Sequence, residues 1–164
     1  MRRSTIRPWR LSSPRSWGDP TAESIVLETS AFLDLMVGNA EGRIVGETLK
    51  GKAVHISDHC GVAVAQALLV MRQRGIVSGS QLRRSIRLLA ATPFTPYPAA
   101  SLLEGAWART GLRLGDALCV ELSRRLRAPL LTTDSRLATV WPDSWLIAAP
   151  PVLDGPPTLG DPPS

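Results

Sequence analysis

Residues 111–137 read GLRLGDALCVELSRRLRAPLLTTDSRL, and the rest of the chain can be placed around this stretch. Apolar side chains recur in its first half at helical spacing, which predicts a helix with one apolar face. The apolar positions are Leu114, Ala117, Leu118, Leu122 and Leu126. Asp116 falls in the first turn of this helix. Glu121, Arg124 and Arg125 fall on the opposite face, which we predict to be polar.

A proline ends this helix, because Pro129 disfavours helical geometry in the residue before it. Residues 130–133 are short, apolar and end in two threonines, which predicts a buried strand. Asp134 follows directly and can cap the next helix, residues 135–140. One acid therefore begins a helix and another leaves the C-terminal end of a strand, which is where open α/β sheets bind ligands.

The rest of the chain alternates in the same way. Residues 24–28 (SIVLE) predict a first strand of the buried parallel type, and a helix over 31–37 follows it. Further helices are predicted at 40–50, 59–74, 81–91 and 99–109, and further strands at 54–57, 92–95 and 145–148. This alternation indicates an α/β domain, a three-layer sandwich with a central, mostly parallel sheet.

Composition is that of one ordinary globular domain, with 44% hydrophobic and 20% charged residues in a chain of 164. The two cysteines, Cys60 and Cys119, are too few for a disulfide framework, and we predict each to be a small core residue. No apolar run approaches the roughly 18 residues of a membrane helix. We therefore expect a cytoplasmic protein without a membrane span.

Both ends of the chain differ from its body, residues 23–148. Residues 1–22 hold five arginines and one aspartate and predict a disordered basic tail, without the apolar core of a secretory signal. This tail could contact phosphates, be merely solvated, or reflect a start codon assigned too early. Residues 149–164, with six prolines, predict a Pro-rich tail. A net charge of +5 suits a polyanionic partner.

The order of these motifs resembles the PIN domain, the nuclease fold of VapC-type toxins. In that family an Asp-Ala-Leu helix start precedes an Ala-Pro-Leu-hydrophobic-Thr-x-Asp-x-x-Leu strand and turn, as residues 116–118 and 128–137 do here. The first strand is also similar, because it ends in an acid that is followed by a small residue, a hydroxyl residue and alanine. The resemblance covers about residues 24–148 and implies the PIN-like fold.

The resemblance further implies an acidic site. Glu28, Asp116 and Asp134 would converge at one end of the sheet as catalytic residues and as the ligands of Mg²⁺ or Mn²⁺. Converging carboxylates repel one another unless a cation or a proton lies between them, and oxygen ligands suit these ions. Two departures weaken the site. Glu28 stands where the family has aspartate, and Ala63 stands where the family's third helix carries a glutamate.

Hydroxyl side chains accompany these acids. By its match to the family's hydroxyl residue, Ser30 is implied to orient a site water, although a helix cap is its alternative role. Thr132 or Thr133 could also orient water, although packing within the strand is the alternative for both threonines. All three residues lie within four positions of Glu28 or Asp134 in the sequence.

Residues 55–60 (HISDHC) look like a metal cluster at first sight. A structural zinc site needs about four ligands, usually as two spaced pairs, and the sequence offers no second pair. We therefore interpret Asp58 as a helix cap and the histidines as surface or half-buried residues. His59 lies one turn before Ala63 on the same predicted helix and could partly replace the missing carboxylate.

VapC-type proteins cut RNA and are silenced by an antitoxin. The resemblance therefore implies a Mg²⁺-dependent endoribonuclease, the toxin of a VapBC-type pair, with a weakened site, an RNA substrate, a small antitoxin partner and a homodimeric state. The alternative is a catalytically inactive PIN-like module that binds RNA or protein. A small-molecule enzyme has no support, because GxGxxG, P-loop and GxSxG motifs are missing.

Overall fold

The computed structural model describes residues 24–148. The tails predicted for residues 1–22 and 149–164 lie outside this described part. The strands are β1 (Ser24–Leu27), β2 (Ala53–Ser57), β3 (Thr95–Tyr97), β4 (Leu130–Thr132) and β5 (Ser144–Leu146). The helices are α1 (Thr29–Val37), α2 (Ala40–Leu49), α3 (Asp58–Gln73), α4 (Gly79–Ala91), α5 (Ala99–Trp107), α6 (Leu114–Leu126) and α7 (Ser135–Val140). Among these described helices, none is long and apolar enough to cross a membrane.

The five strands form one parallel sheet in the order β3-β2-β1-β4-β5. β1 lies at the centre, where Val26 pairs with His55 of β2 on one side and with Leu130 of β4 on the other. The backbone N–H of Glu28 continues this ladder by donating to the carbonyl of Leu131 at 3.0 Å. The carboxyl ends of β1 and β4 therefore lie side by side, and the predicted parallel sheet is confirmed.

The central strands are buried on both faces because helices cover the sheet on each side. Every residue of β1 and β4 is buried, which explains why both strands consist mainly of apolar residues. Phe32 of α1, Leu68 of α3 and Leu122 of α6 complete the core and expose no surface. This packing is the predicted three-layer α/β sandwich.

The edge strands differ from their predicted bounds. The sequence predicted a strand at 92–95, but β3 begins at Thr95 because the N–H of Phe94 donates to the carbonyl of Thr92 at 2.8 Å in a local turn. Pro96 is tolerated there because an edge strand needs only one side of its hydrogen-bonding capacity. β5, predicted at 145–148, ends at Leu146.

Helix ends follow the local chemistry of the sequence with one correction. Gly38 ends α1 with φ 76°, and Ser78 begins α4 with a capping box to Gln81. The prediction that Asp58 caps α3 was wrong, because Asp58 is already the first residue of that helix. Its carboxylate instead accepts the backbone N–H of Ala99 at 2.9 Å, at the start of α5. Asp58 therefore joins two elements that lie far apart in sequence.

The face of α6 that carries Glu121 is polar but not exposed there, because Glu121 is fully buried. The helix is covered on that side by α5, whose Gly105 leaves the space that the carboxylate fills. The carboxylate accepts hydrogen bonds from Arg109, Arg124 and Arg125 at 2.6 to 3.0 Å. Burial raises the pKa of Glu121, but these three guanidinium groups outweigh it and lower the pKa to about 2. The three arginine side chains therefore offset the negative charge that Glu121 buries in α6.

Candidate active site at the carboxyl end of the sheet

Glu28 leaves the carboxyl end of β1 and folds back over the start of α1. Its Oε2 accepts hydrogen bonds from the backbone N–H of Ser30 at 2.9 Å, from the Ser30 hydroxyl, and from the Thr132 hydroxyl at 2.9 Å. Glu28 is thus the N-cap of α1 rather than the last strand residue that the sequence predicted. A carboxylate suits this position because the first N–H groups of a helix lack partners within the helix.

Glu28 is almost completely buried, with 3% of its surface exposed. Burial raises the pKa of its carboxyl group, the hydrogen bonds from Ser30 and Thr132 oppose that rise, and the negative charge of Asp116 adds to it. The net effect is a raised pKa. A proton or a cation near Glu28 is therefore favoured, and Asp116 is close enough to Glu28 to act on its charge.

The segment after β4 is fixed against the start of α1 by hydroxyl groups. Thr132 Oγ1 lies 3.2 Å from Ser30 Oγ and accepts the backbone N–H of Asp134 at 3.0 Å. The backbone N–H of Thr133 donates to Ser30 Oγ at 3.1 Å. The Thr133 hydroxyl, however, donates to Asp34 Oδ2 at 2.7 Å. Ser30 and Thr132 therefore contact the acid directly, whereas the Thr133 side chain does not.

Asp116 and Asp134 meet at one guanidinium group. Asp134 caps α7 through Oδ1, which accepts the N–H groups of Arg136 and Leu137 at 2.8 and 3.2 Å. Arg136 Nη2 then donates to Asp134 Oδ2 at 3.1 Å and to Asp116 Oδ2 at 2.5 Å. Asp116 and Asp134 therefore lie together at this edge, with a guanidinium group between them.

Sequence reasoning missed Arg136 as part of this cluster. The available signal was its position two residues after Asp134, within the first turn of a helix whose cap is the acid itself. His59 also lies near the cluster, because a Cβ built on Gly115 would come within 3.2 Å of its Nε2. Gly115 directly precedes Asp116. Ala63, one turn after His59 on α3, contributes no polar atom.

The donor set fits a hard divalent cation. Three carboxylates reach this region from the end of β1, the start of α6 and the end of β4, and oxygen ligands of this kind suit Mg²⁺ or Mn²⁺. The guanidinium between Asp116 and Asp134 acts as a stand-in cation at that position. The Arg136 side chain is partly exposed, with 42% of its surface accessible.

Comparison with known proteins identifies the family. A family model described as the PIN domain matches residues 25–140. This chain belongs to the PIN-domain family. The match spans β1 to α7 and so includes every element that carries the acids described above.

Within that family, the similarity of this PIN domain is to VapC-type proteins. Ribonuclease VapC3 of Mycobacterium tuberculosis is 36% identical over 127 residues, which cover 76% of this chain and 93% of VapC3. Ribonuclease VapC12 of the same organism is 30% identical over 115 residues, which cover 70% of this chain and 89% of VapC12.

A solved structure supports the fold independently. VapC20 of Mycobacterium tuberculosis, described as a toxin that cleaves the sarcin–ricin loop, superposes with a TM-score of 0.54 at 17% identity. The match covers 71% of this chain and 95% of VapC20. The family and the fold class predicted from the sequence are therefore confirmed.

Proposed function

We propose that this PIN domain is a metal-dependent endoribonuclease and the toxin of a VapBC-type toxin–antitoxin pair. The observation that carries the proposal is the pair Asp116 and Asp134, whose carboxylates share one position for a positive charge beside Glu28. The curated relatives are named ribonucleases, and their alignments cover about nine tenths of their own lengths.

Glu28, Asp116 and Asp134 are the residues that we propose to hold Mg²⁺ or Mn²⁺. When bound, such an ion supplies an activated water and offsets negative charge on the leaving oxygen. The three hydrogen bonds to Glu28 all end on Oε2, so Oε1 is the oxygen atom that Glu28 can offer to the ion. Arg136 must release the Oδ2 atoms of both aspartates before they can bind an ion.

The hydroxyl residues divide into two roles. Ser30 and Thr132 fix the orientation of Glu28 through direct hydrogen bonds and remain the candidates for orienting a site water. Thr133 acts less directly, because its hydroxyl binds Asp34 and only its backbone N–H reaches Ser30. We therefore propose Thr133 as a residue that positions the loop.

The site should be slow. The additional methylene of Glu28 lets its carboxylate fold back onto the N-terminus of α1, where three donors hold one of its oxygens. Ala63 contributes no carboxylate at all. Losing a single positioned electrostatic group lowers a catalytic rate by roughly two to three orders of magnitude. Low turnover is the expected consequence.

The proposed substrate is single-stranded or looped RNA, because an open sheet end reaches a splayed backbone more easily than a narrow A-form groove. Exposed arginines on α4 could contact phosphates; these are Arg83, Arg84 and Arg87. The guanidinium groups of Arg124 and Arg125 instead donate N–H groups to Glu121. RNA binding should weaken as salt rises.

The proposed partners are a small antitoxin protein and a second copy of this chain, and the proposed location is the cytoplasm. Large apolar side chains lie exposed on α3 and α5, including Val62 at 71% and Trp107 at 84%, which is the kind of surface that partners cover. Light scattering of the protein alone and with a co-expressed antitoxin tests both partners.

The test of the function is cleavage of labelled RNA with Mn²⁺ by wild type and by the Asp116→Asn/Asp134→Asn double variant. Cleavage by the wild type alone supports the ribonuclease. Equal traces from both proteins indicate a contaminating nuclease and contradict the proposal.

A second candidate is a catalytically inactive module that binds RNA or protein. Arg136 favours it, because its guanidinium already offsets the charges of Asp116 and Asp134 without a metal ion. Retention of RNA with no cleavage by either protein would select this alternative.

A further inference from the structure

A second group of ligand atoms lies beside the carboxylates. His59 and Cys60 lie in the first turn of α3, and Cys119 lies on α6, 59 residues after Cys60. One ring nitrogen and the two sulfur atoms all lie within 4.8 Å of one another. Both cysteines are fully buried, whereas His59 is only half-buried. The second cysteine is the ligand that a local motif around residues 55–60 could not supply.

Two of the distances between ligand atoms are close to those of tetrahedral zinc. Cys60 Sγ lies 3.5 Å from Cys119 Sγ and 3.8 Å from His59 Nε2. Zinc bonds of about 2.3 Å to sulfur and about 2.0 Å to nitrogen place neighbouring ligand atoms roughly 3.5 to 3.8 Å apart in a tetrahedron. Two of the three ligand pairs therefore lie near the spacing that the ion requires, and the ligand atoms of the third pair, His59 and Cys119, lie within 4.8 Å of each other.

Neighbouring hydroxyl groups orient the ligands. His59 Nδ1 lies 2.9 Å from the hydroxyl of Ser57, which is fully buried, so Nδ1–H can donate there while Nε2 keeps its lone pair. Metal-binding histidines usually fix their free nitrogen in this way. The Thr29 hydroxyl donates to Cys60 Sγ at 3.4 Å. A donor to sulfur stabilises the thiolate, which is the form that binds metal.

The two thiols differ in proton affinity. The hydrogen bond from Cys119 lowers the pKa of the Cys60 thiol despite its burial. The same bond, together with burial, raises the pKa of Cys119. A metal ion that binds both sulfur atoms must displace the thiol protons to solvent.

We propose that His59, Cys60 and Cys119 bind one Zn²⁺ ion, with a water molecule in the fourth position. Thiolate and imidazole ligands favour zinc over Mg²⁺, which takes oxygen ligands. The ion would join the start of α3 to α6. Cys119 lies one turn after Asp116 on α6, so the zinc would lie beside the segment that carries this acid without binding the carboxylate. With three protein ligands and a water, the site has the open geometry of zinc rather than the closed geometry of a structural site.

Metal content of the full-length protein tests this proposal. The protein is prepared under reducing conditions with its affinity tag removed, and zinc is measured by mass spectrometry of the elements. Wild type should retain about one zinc per chain, as expected for one site with three protein ligands. Replacement by Co²⁺ should give a thiolate-to-cobalt charge-transfer band and the intense visible bands of tetrahedral cobalt.

Matched variants separate this site from the carboxylates. Cys119→Ser should lose the zinc and the charge-transfer band, and His59→Gln, at a half-buried position, should shift the visible cobalt bands and weaken retention. Asp116→Asn should retain both signals, because Asp116 is not a ligand. Circular dichroism checks that each variant folds. If Cys119→Ser does not fold, the His59→Gln variant and the cobalt spectrum of the wild type still test the proposal.

The proposal is overturned if reduced wild type takes up neither zinc nor cobalt through sulfur, or if all the variants bind equally. If the protein is isolated with a Cys60–Cys119 disulfide, absence of zinc uptake after that disulfide has been reduced also overturns the proposal. None of these readouts depends on RNA cleavage, so the zinc site and the proposed ribonuclease can fail separately.

Discussion

Glu121 provides the sharpest test of how α6 is held. Its carboxylate is 1% exposed and binds three guanidinium groups, of which those of Arg109 and Arg125 are themselves mostly buried. The Glu121→Gln substitution keeps the shape but leaves these cations without their counter-charge. The pKa falls from 4.5 to about 2, which corresponds to roughly 3 kcal/mol of stabilisation at neutral pH. Removing one partner of a buried ion pair costs a similar amount, about 3–5 kcal/mol.

Urea denaturation at neutral pH measures this loss, and Glu104→Gln on the exposed face of α5 is the matched control. The control should change the free energy of unfolding by less than about 0.5 kcal/mol. If Glu121→Gln lowers the free energy of unfolding by less than about 1 kcal/mol, the reasoning is refuted, because leaving buried guanidinium groups without a counter-charge should destabilise the fold by more than that.

The same pair of proteins gives a pH test with a defined sign. The pKa of Glu121 is depressed in the folded state, so its contribution is present above the unfolded value of 4.5 and is lost as pH falls toward about 2. The stability difference between wild type and Glu121→Gln should therefore shrink across that window. A difference that stays constant would show that the charge of Glu121 is not its cause.

Three further results are expected. Gly105→Ala places a Cβ 2.2 Å from the Glu121 carboxyl group and should cost about 1–3 kcal/mol of stability in urea denaturation; an unchanged midpoint would contradict the packing of α5 on α6. Arg136→Gln removes a competing cation and should tighten Mn²⁺ binding in calorimetry, whereas weaker binding would give the guanidinium a supporting role. Thr132→Val removes a donor that lowers the pKa of Glu28, so Mn²⁺ affinity should fall more at mildly acid than at neutral pH; an equal loss at both would argue against it.

The sheet was predictable because its signals are local. β1 and β4 consist mainly of apolar residues, which burial on both faces favours, and an acid follows each strand within two residues. Helix ends at Gly38 and Ser78 follow from single residues. Strand β3 shifted because its ladder depends on partners in β2, which the sequence of residues 92–95 does not contain.

Three further features that the sequence did not predict depend on long-range packing. Glu121 has the spacing of a polar face, yet α5 and its Gly105 cover that face and make it interior. Asp58 has the chemistry of a cap but serves Ala99, 41 residues away. Cys119 meets Cys60 across 59 residues, which no local motif could indicate. Only the folded chain brings such pairs together.

The most direct test of the proposed metal site restores the carboxylate that α3 lacks. Ala63→Glu returns a carboxylate to α3, and Ala65→Glu, two positions away on another face of the same half-buried helix, is its control. Mn²⁺ affinity and the single-turnover rate of RNA cleavage are measured for both variants and for wild type. We predict that Ala63→Glu alone tightens Mn²⁺ binding and accelerates cleavage. No gain in either quantity, or an equal gain in Ala65→Glu, would contradict a metal-dependent ribonuclease site built on Glu28, Asp116 and Asp134.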